Sequence, residues 1–162
     1  MKNQKHRPKV YLETSIISYL AAKPSNDLRA AANQDITTEW WEIRKPGFDL
    51  YISAFVEIEV ALGDPEAAAR RIEIIENISR LEITADVETL GKALIVEGSI
   101  PRKAEIDAFH IAIAAVNGIE YLLTWNCTHI ANAIMRPKIE ATCRGCGFEP
   151  PVICTPQELM EN

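Results

Sequence analysis

Short apolar segments alternate with amphipathic helical stretches along the whole chain. No other feature limits the fold as much. Residues 9–12, 49–52, 81–83, 121–124 and 152–153 are rich in Val, Ile, Leu and Tyr and read as strands. Between them, helical patterning covers 15–22, 27–44, 53–63, 64–77, 85–97, 101–118 and, broken near Pro137, 128–143. A terminal turn of helix is predicted over 156–159. The punctuation agrees: Asp64-Pro65-Glu66 is a cap, a first-turn proline and an acid, and Ser53 can cap the helix that follows it. Strands joined through helices make parallel neighbours, so the chain is expected to be α/β with a mainly parallel sheet.

The 162 residues suit one domain spanning 1–162, with 1–8 as a flexible N-terminus. The basic start MKNQKHRPK has no apolar signal core behind it, so a cytoplasmic protein is expected. The net charge of −6 disfavours broad, nonspecific DNA binding. It leaves room for a small nucleic-acid site where a metal ion supplies local positive charge. There is no P-loop, dinucleotide fingerprint or nucleophile elbow.

Several oxygen-bearing side chains stand where an apolar or strand-end residue is expected. Glu13 closes the apolar run Val10-Tyr11-Leu12, and Asn126 lies just past strand 121–124. In parallel sheets ligands bind beyond the carboxyl ends of the strands, which puts both on one rim. Helix 53–63 brings a third. With Phe55 at zero, Ile58 and Leu62 fall about 60° and about 20° to one side and Val56 about 100° to the other. Glu59 at about 40° then points inward and Glu57 at about 200° points to solvent. The fourth is Asp107, at the entrance of a helix that is apolar on nearly all sides except at His110, three residues on. Singly, each acid has an ordinary explanation: Glu13 as a cap or ion-pair member, Glu59 as a partner of Arg70 or Arg71, Asp107 as a helix-start acid. Gathered at one rim they would repel one another unless a cation sits among them. Oxygen ligands favour Mg²⁺ or Mn²⁺.

The segments "YLETS", "SAFVEIEVALGD" and "IDAFHIAIAAVNGIEYLLTWN" resemble the PIN-domain ribonucleases, in particular VapC-type toxins of toxin–antitoxin pairs. The resemblance runs from Val10 to about Leu159. It implies a PIN-like three-layer α/β/α sandwich acting as a Mg²⁺- or Mn²⁺-dependent endoribonuclease, with an antitoxin partner and a homodimeric state. It assigns the catalytic and metal positions to Glu13, Glu59, Asp107 and Asn126, and the hydroxyl after the first acid to Thr14 or Ser15. The family usually has aspartate at the first position and often at the last. A PIN-fold protein that binds RNA or a protein partner with little catalysis is the alternative. Arg102 and Lys103 are further candidates for contact with the RNA backbone, with solvated helix-start charges as the alternative, and His110 and His129 for a role near the metal or substrate, although such histidines are more often core-edge hydrogen-bonders. Cys143 and Cys146 form a lone CxxC that, with Cys127 and His129, would make a weak zinc set; free thiols are expected. Trp40-Trp41 is either core or an exposed docking pair, and Trp125 either packs or flanks a base.

Overall fold

The structure, a computed structural model, describes residues 5–160. Five strands, β1 (Lys9–Leu12), β2 (Asp49–Ser53), β3 (Ser79–Leu81), β4 (Tyr121–Leu123) and β5 (Val152–Cys154), form one sheet in the order β3-β2-β1-β4-β5. All four pairings are parallel. The helices are α1 (Thr14–Ala21), α2 (Leu28–Glu39), α3 (Ala54–Val60), α4 (Pro65–Ile75), α5 (Ala85–Val96), α6 (Glu105–Val116) and α7 (Arg136–Gly145). They pack as two groups, α1–α4 and α5–α7, and the sheet is the third layer. β1 lies at the centre with Val10, Tyr11 and Leu12 wholly buried, which is why it reads as a continuous apolar run rather than an alternating one.

The chain builds outward from β1 through β2 to β3, then returns to β1's other side for β4 and β5. The reversal opens a crevice between the carboxyl ends of β1 and β4, the position where parallel sheets bind ligands. Two helices start there or near it. α1 follows β1 directly and is capped by Glu13, whose side chain accepts the Ser15 N–H. α6 is the buried helix expected, with Ala108 and every residue from His110 to Ala115 out of solvent.

Several boundaries differ from the sequence expectation for local reasons. Residues 27–44 are not one helix: α2 ends at Glu39, and a π-helical turn, Trp40–Arg44, follows. That turn buries Trp40 completely, stacked on Phe48 at 5.6 Å, and leaves Trp41 beneath Lys45 at 4.2 Å. Trp40 is therefore core. Pro137 opens α7 instead of breaking a helix, since a first-turn residue needs no amide hydrogen. β3 is an edge strand two residues earlier than expected, set by pairing of Tyr51 with Ser79. α6 is preceded by a 3₁₀ turn at Arg102–Ala104. Residues 156–159 form a single hydrogen-bonded turn.

Of the N-terminal residues expected to be flexible, 1–4 lie outside the described residues. His6 bonds Glu120 at 2.9 Å and Arg7 reaches the Phe48 carbonyl at 2.6 Å. No helix among the described residues is long and apolar enough to cross a membrane.

Candidate active site

Glu13 is almost fully buried although it follows a core strand. Burying a carboxylate costs several kcal/mol unless its charge meets donors, and three donors converge on one of its oxygens. Oε2 accepts from Ser15 N at 3.1 Å, from Ser15 Oγ, and from Thr124 Oγ1 at 2.7 Å. Both hydroxyls serve twice: Ser15 Oγ accepts Trp125 N–H at 2.8 Å and Thr124 Oγ1 accepts Asn126 N–H at 2.9 Å. The ends of β1 and β4 are thereby tied through one carboxylate oxygen. Among the described residues, no hydrogen bond falls on Glu13 Oε1.

Glu59 comes from α3, and the sequence wheel put it inward for the wrong reason. The buried residues of that helix are Val56 and Val60, an i,i+4 pair. Ile58 and Leu62, taken as the apolar stripe, are 57% and 62% exposed. Glu59 still faces in because it lies beside Val60 and one turn after the half-buried Phe55. Its partners are neither Arg70 nor Arg71, whose guanidiniums bind the carbonyls of Ala21 and of Val60 and Leu62. Instead Glu59 Oε1 accepts from Thr14 Oγ1 at 2.6 Å and lies 2.6 Å from His110 Nε2. Burial alone would raise this carboxyl's pKa. The hydrogen bond and charge of His110, helped by Thr14, outweigh it and hold it below the ordinary value. Oε2 of Glu59 has no hydrogen-bond partner among the described residues. Glu57 turns outward and pairs with Arg80 at 2.9 Å, as its angle predicts.

Ligand atoms of Glu13, Glu59 and His110 all lie within 4.8 Å of one another, the one such group of three among the described His, Cys, Asp and Glu residues. Opposite ligands of a small divalent cation stand about 4.2 Å apart across two 2.1 Å bonds. The chemistry of the donors also suits a divalent cation: two carboxylates, each with one oxygen tied down and one open.

Asp107 and Asn126 join a second cluster. Asp107 Oδ2 lies 3.0 Å from His129 Nδ1, and Asn126 Oδ1 accepts the His129 N–H at 3.1 Å. The Asn126 bond to Thr124 connects this cluster to Glu13, and α6 carries both Asp107 and His110, one turn apart. Arg102 and Lys103 are exposed in the 3₁₀ turn before α6.

The sequence expectation omitted three members of the network: Thr124, Tyr11 and Ser53. Ser53 stands at the N-cap of α3 but makes no capping bond; its hydroxyl is 2.7 Å from Tyr11 OH, which is 2.6 Å from His110 Nδ1. Only Thr124 had a local signal, a hydroxyl two residues before Asn126. The cysteines are free thiols, Cys143 buried and Cys146 exposed, and none joins the close ligand group found among the described residues. Trp125 donates Nε1–H to Thr37 Oγ1 at 2.7 Å and meets the Tyr19 ring edge-on, so it ties β4's end to α2 and α1.

This architecture matches solved toxin structures. Mycobacterium tuberculosis VapC20, a sarcin-ricin loop cleaving toxin, superposes with a TM-score of 0.57 at 18% identity, covering 76% of this chain and 95% of that one. A chain of VapBC2 from Rickettsia felis, solved bound to a DNA fragment from its promoter, gives 0.58 at 15% identity, covering 91% and 98%. No protein-family model matches the chain, and no curated protein matches its sequence. The chain has the VapC-type PIN-domain fold, an α/β fold with a five-stranded parallel sheet.

Proposed function

We propose that this chain is a divalent-cation-dependent endoribonuclease and the toxin of a toxin–antitoxin pair. Glu13, Glu59, Asp107 and Asn126 are its catalytic residues and hold Mg²⁺ or Mn²⁺. The observation that carries the proposal is the convergence of two carboxylates at the sheet's switch point, each keeping one oxygen clear of hydrogen bonds.

A bound cation supplies charge neutralisation at a phosphodiester and acidifies water within its reach. The chain's own residues prepare the place. Ser15 and Thr124 fix the Glu13 carboxylate, Thr14 and His110 fix that of Glu59, and His129 fixes Asp107. Arg102 and Lys103 stand exposed beside the start of α6 and would meet the RNA backbone as point charges. With a net charge of −6, phosphate binding has to be local to such groups. The antitoxin partner is supported by the likeness to VapC20 and to a chain of a VapBC assembly.

Purified protein incubated with single-stranded RNA and Mn²⁺ or Mg²⁺ tests this. Cleavage is expected, stopped by a chelator and reduced on the order of 100-fold or more in Asp107→Ala. A protein that neither cleaves RNA nor binds either cation is not this enzyme, and the binding-only PIN-fold alternative would then stand.

A further inference from the structure

We infer that His110 is a positioning residue for Glu59 and not a third ligand: its Nε2 carries a hydrogen that it donates to Glu59 Oε1, and it keeps that hydrogen when a cation is bound. The second half rests on the reading of the rim as a cation site; the first half does not.

The hydrogens can be counted. An ionised carboxylate only accepts. Glu59 Oε1 already takes the Thr14 hydroxyl and sits 2.6 Å from His110 Nε2. A bare Nε2 there would face one lone pair with another. At the far side of the ring, Nδ1 is 2.6 Å from Tyr11 OH, which is 2.7 Å from Ser53 Oγ. Two arrangements satisfy every group. In one, Ser53 donates to Tyr11, Tyr11 donates to Nδ1, and a neutral imidazole carries its hydrogen on Nε2. In the other, an imidazolium donates from both nitrogens and Tyr11 donates to Ser53. Both place a hydrogen on Nε2.

The surroundings hold that choice. Tyr11, Ser53 and His110 are each wholly buried, so no water can replace a lost partner. The rings of Tyr11, at 5.7 Å, and Phe55, at 6.2 Å, wall the imidazole and fix its plane. For Nε2 to bind a metal it would have to shed its hydrogen and break the bond to Glu59. If His110 stays a donor, the ligand set is all oxygen, and the carboxylate it steadies offers Oε2.

The test uses the full chain labelled with ¹⁵N-histidine. Two-bond ¹H–¹⁵N spectra should show Nε2 protonated without cation and unchanged with excess Mg²⁺. Electron spin-echo spectra of Mn²⁺ bound to the unlabelled chain should show no directly coordinated ¹⁴N. His110→Gln, which retains an N–H donor, should bind Mn²⁺ close to wild type, whereas His110→Leu should bind about 10- to 100-fold more weakly. Melting curves confirm that each variant folds, and the spectra decide the matter if the leucine variant does not. A bare Nε2 in the cation-free protein, a coordinated ¹⁴N, or a folded glutamine variant as weak as the leucine variant would overturn the inference. If wild type binds no cation, the cation-site reading fails, and the cation-free spectrum still shows whether His110 donates to Glu59.

Discussion

Thr124 donates its hydroxyl to Glu13 Oε2 at 2.7 Å, joining the ends of β1 and β4, and the same Thr124 Oγ1 accepts the Asn126 N–H. Thr124→Val keeps the shape and removes both bonds. Glu13 Oε2 keeps its two Ser15 donors, but the Asn126 N–H loses its acceptor, and a buried group so left costs about 1–3 kcal/mol. A lower melting temperature and weaker Mn²⁺ binding are expected together, read by calorimetry. A variant as stable and as tight as wild type would mean the hydroxyl does not organise Glu13.

The two glutamates of α3 provide an internal control. Glu59→Gln is expected to reduce RNA cleavage on the order of 100-fold. Glu57→Gln removes only an exposed pair with Arg80 and should change stability by less than about 1 kcal/mol, with cleavage unaltered. Comparable losses in both variants would contradict the separation of their faces.

Because the Glu59 carboxyl is held below its ordinary value of 4.5, linkage gives a sign. Burial opposes that shift and the bonds to His110 and Thr14 produce it. The folded state then binds fewer protons than the unfolded chain, so the contribution is present above the unfolded value and is lost as pH falls through the folded one. In chelator, the melting-temperature gap between wild type and Glu59→Gln should be full at pH 6 and shrink steadily below pH 4.5. A gap that widens on acidification would reverse the assignment.

Thiol labelling should divide the cysteines in two. Cys127 and Cys146 are exposed and should react at once. Burial pushes the Cys143 and Cys154 thiols up to about 12 each, so almost no thiolate exists at pH 8. Those two should react only on unfolding, and mass spectrometry of the native protein should count two adducts.

Gly91 on α5 marks a close approach to α6. A methyl placed there would lie 2.5 Å from two ring atoms of Phe109, which stacks on Phe55 at 5.3 Å. Gly91→Ala gains up to about 1 kcal/mol of helix propensity. Against that, overpacking costs about 1–3 kcal/mol. A net drop in melting temperature is expected, and a rise would show that Phe109 moves aside freely.

Much of the candidate site is legible along the chain because local rules reach it. Glu13 stands out because an acid ends an apolar strand, and Asp107 because it opens an apolar helix. Glu59 is placed inward correctly despite a wrong stripe: on a helix of only seven residues, Ile58 and Leu62 looked like the buried side until α3 was packed. Its true partner was hidden because Thr14 and His110 are 45 and 51 residues away. Tyr11 and Ser53 looked like a strand aromatic and a cap, and nothing local separates those roles from a hydrogen-bond chain to His110.

The alternation of apolar strands with helical stretches by itself determined the parallel α/β class and the strand-end rim, because side-chain periodicity and connection length are local properties. Only the tertiary structure decided that β1 and β4 flank the switch point, that ligand atoms of Glu13 and Glu59 come within 4.8 Å of each other, and that His110 rather than an arginine meets Glu59. Those relationships join segments roughly 45–110 residues apart, and packing, not periodicity, chooses which buried charge meets which donor.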